Sequence, residues 1–140
     1  VVIHPGSGSR RKNWPWERFF QVVEFVKAKR GWPVVVRFGP VEKEMLEEDS
    51  QALPADAIAL DEPSLTLVCA VLSGAKWYLG ADTGISHLAA AVGCRSVVMF
   101  GPTEPSLWAP KGEHVDILQR GAETADIEIS DVLELFEMIE

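Results

Sequence analysis

The sequence is short of several things that would point elsewhere. It has two cysteines, one tyrosine, and 13 lysines and arginines against 21 aspartates and glutamates, for a net charge of −8. Cys69 and Cys94 have no zinc-type spacing and make no disulfide framework, so a reduced, cytosolic chain is the simpler reading. The acidic balance argues against a general nucleic-acid surface. No apolar run approaches the roughly 18–20 residues that would cross a bilayer, and no basic leader precedes an apolar stretch. No P-loop is present. The one candidate for a dinucleotide fingerprint, opening at Gly6-Ser7-Gly8, ends on Arg11 where the third glycine is required, and the strand 34–38 does not end in an acid. Internal repeats and low-complexity tracts are also lacking.

What remains is an ordinary globular composition. With 140 residues, 47% of them hydrophobic and 24% charged, the chain suits a single domain with a real core. It opens at Val1, inside what reads as a strand, as expected of an excised or partial domain.

Strands are expected at 1–4 and 77–79 (both buried), 33–38 (apolar except for Arg37), 57–60 (short) and 96–100, with a weaker one at 114–118. Helices alternate with them. The first opens at Trp14-Pro15-Trp16, capped near Asn13 or Trp14, carries Phe19, Val22, Val23 and Val26 at helical spacing, and stops at Gly31. Others are expected at 41–50 (acidic and exposed), 64–72, 83–92 and 131–139, the last capped by Ser130. Residues 101–112 read as a proline-bearing loop and 121–126 as a flexible connector. This alternation predicts an α/β fold: a Rossmann-like parallel sheet flanked by helices on both faces, with ligands at the carboxyl ends of the strands near a switch in strand order.

Two strand ends carry chemistry. At Gly80-Ala81-Asp82-Thr83-Gly84-Ile85-Ser86-His87 a strand gives way to a helix. Free backbone N–H groups and the positive end of a helix dipole there make an anion site. Asp82, Thr83, Gly84 and His87 crowd that spot, with His87 opposite the apolar stripe of Ile85, Leu88, Ala89 and Val92. Ordinary N-capping by Asp82 or Thr83 is the alternative. The other end, His4-Pro5-Gly6-Ser7-Gly8-Ser9-Arg10-Arg11-Lys12, is glycine-rich and cationic. Lys12 suits phosphate oxygens, and a solvated basic loop is the competing account. Glu42, just past Gly39-Pro40, suits ribose hydroxyls if it is not simply solvated. Trp108 is large for a loop and is expected either over the site or against a neighbouring domain.

Asp82-Thr83-Gly84-Ile85-Ser86-His87-Leu88-Ala89-Ala90-Ala91, followed by Phe100-Gly101-Pro102-Thr103-Glu104-Pro105, resembles glycosyltransferase family 9, the lipopolysaccharide heptosyltransferases. His4-Pro5-Gly6-Ser7 and Lys12-Asn13-Trp14-Pro15 are similar to the first loop of that family's C-terminal domain. The likeness runs from residue 1 to about 110. It implies the C-terminal, nucleotide-sugar-binding half of a GT-B fold, with residues 1–140 as one donor-binding domain and the acceptor domain outside them.

By position, the resemblance assigns Lys12 and Ser9 to the diphosphate and the backbone of Thr83 and Gly84 to holding it. Asp82 falls to sugar hydroxyls, His87 to phosphate or sugar, and Glu42 to the ribose; Lys12 and Asp82 are thus the catalytic candidates. ADP-heptose, or another nucleotide sugar, is the implied donor and the lipopolysaccharide core the acceptor, reached through the other domain. That domain also supplies the general base, so the isolated domain is expected to be inactive. No D-x-D pair is present, which fits metal-independent transfer with no cofactor. A cytoplasmic location, peripheral to the inner face of the membrane, goes with this activity. Ala109 departs from the glycine frequent in relatives. A non-catalytic nucleotide-binding module and a related GT-B sugar-nucleotide epimerase stand as alternatives.

Overall fold

Successive side chains of a buried strand point to opposite faces of its sheet, and here each face finds its own core. Val2 and Tyr78 pack on one side with Val68, Leu72, Ile85 and Ala89. Their neighbours Ile3 and Leu79 pack on the other with Phe19, Val22, Val26, Val97, Met99, Val132 and Phe136. Burying each such large side chain contributes about 1.5–3 kcal/mol. The computed structural model describes residues 1–138.

The sheet comprises β1 (Val2–His4), β2 (Val35–Phe38), β3 (Ile58–Asp61), β4 (Tyr78–Ala81), β5 (Ser96–Phe100) and β6 (Val115–Gln119). All pairings are parallel and the order is β3-β2-β1-β4-β5-β6. Helices α1 (Trp16–Arg30), α2 (Pro40–Glu48) and α6 (Ile129–Glu137) cover one face. Helices α3 (Leu65–Gly74) and α4 (Gly84–Ala91) cover the other. The α/β expectation of a parallel sheet between two helical layers therefore holds.

Local departures have physical causes. Pro15, with φ −56°, takes the N-cap position of α1 in place of Asn13 or Trp14. Gly31 closes that helix as expected, in the left-handed region at φ 63°, its N–H bonded to Lys27 O. Residues 10–12 form a 3-10 turn inside the first loop, and α5 (Pro105–Trp108) interrupts the proline loop, capped by Glu104. Glu128 rather than Ser130 opens α6, because Asp131 reaches back to the Glu128 N–H. The expected end of that helix at Ile139 lies outside the described residues.

The connector expected to be flexible is instead anchored through one residue, while Gly121, Ala122, Glu123 and Asp126 stay exposed. Thr124 is fully buried and begins a 3-10 turn (Thr124–Asp126). It lies so close beneath Gly101 that a β-carbon there would collide with its backbone N.

Candidate functional site

Strand order reverses between β1 and β4, and their carboxyl ends open the crevice that such a reversal leaves for ligands. His4 ends β1 in register with Gly80 of β4. From Gly80 the chain runs through Asp82 and Thr83 into α4, whose first N–H groups have no intrahelical acceptor. Thr83 sits at the N-cap position but its side chain makes no capping bond. The hydroxyl instead lies 3.3 Å from His4 Nδ1. Ordinary capping thus fails to account for Thr83, and the end of the helix stays open toward the crevice.

Helix α4 is fixed to the sheet from below. Ser86 Oγ donates to Ala81 O at 2.5 Å and lies 2.9 Å from Tyr78 Oη, both hydroxyls buried. Burial pushes the Tyr78 phenol up, with the Ser86 and Thr83 hydrogen bonds pulling less strongly the other way, so it stays neutral. Gly80 must be glycine for this, since a β-carbon would strike the Tyr78 ring.

On the β1 and β2 side, Glu42 is only 3% exposed, against the solvated carboxylate that its acidic helix implied. Its Oε1 is 3.0 Å from His4 Nε2. Its Oε2 accepts from the Gly39 N–H at 2.6 Å and lies 3.5 Å from Arg37 Nη1. Burial pushes the Glu42 carboxyl up, but the His4 hydrogen bond, the His4 charge and the Gly39 N–H together outweigh it. The net result lies below the ordinary 4.5. A β-carbon on Gly6 would collide with the Glu42 side chain, so the first loop can lie over it only with glycine there.

The basic run is split up. In a 3-10 turn, with three residues per turn, consecutive side chains leave in three directions. Arg10 pairs with Glu48 and Arg11 with Glu123, both at exposed positions. Lys12 alone turns inward, its Nζ 3.2 Å from Asp82 Oδ2. Thr103 Oγ1 donates to the same oxygen at 2.8 Å.

Two clefts meet at the start of α4. One, of about 500 Å³, has His4, Arg37 and Glu42 at its polar end and Val41, Leu65, Ile85 and Leu88 along an apolar wall. The other, of about 370 Å³, is lined by Lys12, Asp82, His87, Thr103 and Trp108. Thr83 and Gly84 line both. Trp108, 58% exposed, lines the polar cleft. Ser9 lies in a neighbouring groove with Arg10 and Glu44, while Ser7 and Gly8 of the same loop reach the apolar cleft. Among the described residues, no group of three or more His, Cys, Asp or Glu side chains is placed to hold a metal ion.

Sequence reasoning passed over His4, Arg37 and Thr103 as individual residues. Arg37 did carry a signal, as the single charge in an otherwise apolar strand. His4 carried one as a polar residue at the carboxyl end of a buried strand.

The sequence matches the model of glycosyltransferase family 9 (heptosyltransferase) over residues 1–135. Lipopolysaccharide heptosyltransferase 1 of Pseudomonas aeruginosa is 32% identical over 80% of this chain and 31% of its own length. The chain spans about a third of the length of the curated relatives it matches. Escherichia coli heptosyltransferase WaaC with ADP superposes with a TM-score of 0.84 and 28% identity, over 98% of this chain and 43% of that one. WaaC with ADP-2-deoxy-2-fluoro heptose gives 0.80 and 27%, over 98% and 42%. The parallel sheet and its two helical layers are those of the GT-B heptosyltransferase structures. A family match that runs over residues 1–135 makes the chain a member of glycosyltransferase family 9, the heptosyltransferases.

Proposed function

We propose that residues 1–140 form the donor-binding domain of a heptosyltransferase-like enzyme that takes heptose from ADP-heptose to a lipopolysaccharide core acceptor. The observation that carries this is the meeting of an apolar and a polar cleft at the open N-terminus of α4. A nucleotide sugar has the same order of parts: an apolar base, an anionic diphosphate, then a hydroxyl-rich sugar. The base lies along Val41, Leu65 and Leu88, the diphosphate at Thr83 and Gly84, and the sugar between Asp82, His87 and Trp108. The ADP and ADP-sugar analogue bound by WaaC support an adenine nucleotide.

In the transfer step, the bond from the sugar's anomeric carbon to the diphosphate breaks and negative charge grows on the departing phosphate. Lys12 and the N–H groups that open α4 are preorganised to stabilise that charge, the kind of electrostatic assistance that lowers such barriers most. Asp82 accepts hydrogen bonds from sugar hydroxyls. Glu42, with both oxygens engaged, serves the ribose by holding the floor of its cleft. The transfer needs neither a metal nor a cofactor. The general base and the acceptor site belong to a second domain outside these residues, so this domain binds donor without transferring it. Among the described residues no helix is long and apolar enough to cross a membrane, and the reading includes work at the cytoplasmic face.

Calorimetry with ADP, UDP and GDP tests the assignment. ADP is expected to bind most tightly; binding by none of the three overturns it.

A further inference from the structure

His4 is 4% exposed, yet each of its ring nitrogens faces a different part of the crevice. Nε2 lies 3.0 Å from Glu42 Oε1 and Nδ1 lies 3.3 Å from Thr83 Oγ1. An ionised carboxylate only accepts hydrogen bonds, so Glu42 requires the proton on Nε2. The Arg37 Nη1, 3.1 Å from Nε2, therefore finds no lone pair there and turns its hydrogens toward Glu42 Oε2. This leaves the protonation of Nδ1 to decide the polarity of Thr83.

In neutral His4, Nδ1 is an acceptor and takes the Thr83 hydroxyl hydrogen, so Thr83 turns only oxygen lone pairs toward the mouth of α4. In the imidazolium, Nδ1–H donates to the Thr83 oxygen, and the hydroxyl hydrogen is released from His4 to turn to Tyr78 Oη in the free chain and to the anion when one is bound. Only the second arrangement offers a donor to an anion. We propose that His4 is a positioning residue whose protonation turns Thr83 into a hydrogen-bond donor for the donor's diphosphate. The proposal rests on the nucleotide-sugar reading of the site.

The charges that act on His4 come from three sides. Glu42 on α2 favours the imidazolium, and Arg37 on β2 opposes it. From β4, Tyr78 is neutral and fully buried. Beyond Thr83, Asp82 is tied to Lys12, so that pair adds little net field. A bound diphosphate brings negative charge to the far side of Thr83 and favours the imidazolium further. Binding is then linked to proton uptake, which histidine suits because its charge changes between about pH 5 and pH 8.

The experiment is calorimetric binding of ADP-heptose across about pH 5 to pH 8, with adenosine as the control. Neither the diphosphate diester nor adenosine titrates near neutrality, so a pH trend reports the protein. One hydrogen bond to a charged acceptor corresponds to a loss of about ten- to a hundredfold as pH rises, with adenosine level. Heat measured in buffers of different ionisation enthalpy should reveal proton uptake at the alkaline end. Thr83→Val, at a half-buried position that does not threaten the fold, should flatten the trend, and His4→Asn should flatten it too. His114→Asn should leave it in place, since His114 is exposed just before β6, at the amino ends of the strands. A level wild-type profile, a trend that survives Thr83→Val, or one abolished by His114→Asn overturns the proposal while leaving the donor reading intact. Failure of ADP-heptose to bind at any pH overturns both.

Discussion

Lys12 Nζ and Asp82 Oδ2 stand 3.2 Å apart across the polar cleft, so the proposed diphosphate cation and the proposed sugar-hydroxyl acceptor hold each other in the free chain. They are brought together by elements 70 residues apart in sequence. Thr103 anchors the same carboxylate oxygen from the loop after β5. The pair is preorganised, and a bound diphosphate competes with Asp82 for the ammonium while Thr103 keeps the aspartate in place.

Removal of that ammonium should therefore separate phosphate recognition from base recognition. Lys12→Ala is expected to weaken ADP by about tenfold, one charge-assisted hydrogen bond, and to leave adenosine unchanged. Because the lysine is partly exposed, thermal stability should shift little. Equal losses for ADP and adenosine in calorimetry would show that Lys12 does not read phosphate.

Gly84 offers the converse separation. A β-carbon added there meets nothing within 4 Å, and the residue is the first of α4. Gly84→Ala should leave the fold intact or raise its stability by up to about 1 kcal/mol. The new methyl group would nonetheless project into the space shared by the two clefts, and ADP binding should fall. Unchanged ADP affinity in a stable Gly84→Ala protein would place the diphosphate elsewhere.

Much of this site was legible because its parts are local. The strand-to-helix corner at residues 80–87 carries its own glycine, hydroxyl and imidazole, and period and capping signals locate it. What sequence could not reveal were pairings between distant elements. Glu42 looks solvated on an acidic helix until β1 brings His4 against it. Arg10, Arg11 and Lys12 look like one basic patch until a 3-10 turn sends each to its own carboxylate. The segment 121–126 looks like a linker because nothing nearby in sequence says that Gly101 leaves room for Thr124.

The His4–Glu42 contact also sets a pH dependence of stability. The folded-state pKa of Glu42 lies below the ordinary 4.5. Its contribution is therefore present above that value and is lost as pH falls through the lower, folded-state value. Glu42→Gln should be less stable than the parent near neutrality, and the gap should narrow as pH drops below 4.5. Urea unfolding of both proteins at a series of acidic pH values checks this; a gap that stays constant would mean that the ionised carboxylate contributes nothing.

Gly101→Ala tests the packing that holds the last loop under the site. A β-carbon there would strike the backbone N of Thr124 and the carbonyl carbon of Glu123. Backbone atoms cannot swing aside as a flexible side chain can, so the loop must move. Overpacking of this kind costs about 1–3 kcal/mol, expected as a lower urea midpoint. Displacement of the loop also pulls Glu123 from Arg11 and the Ile127 carbonyl from Trp14 Nε1, which donates to it at 2.8 Å. Limited proteolysis should then cut within residues 121–126 well before the parent is cut. Parent-like stability and protection together would show that the loop lifts away without resistance, and that its burial contributes little to the fold.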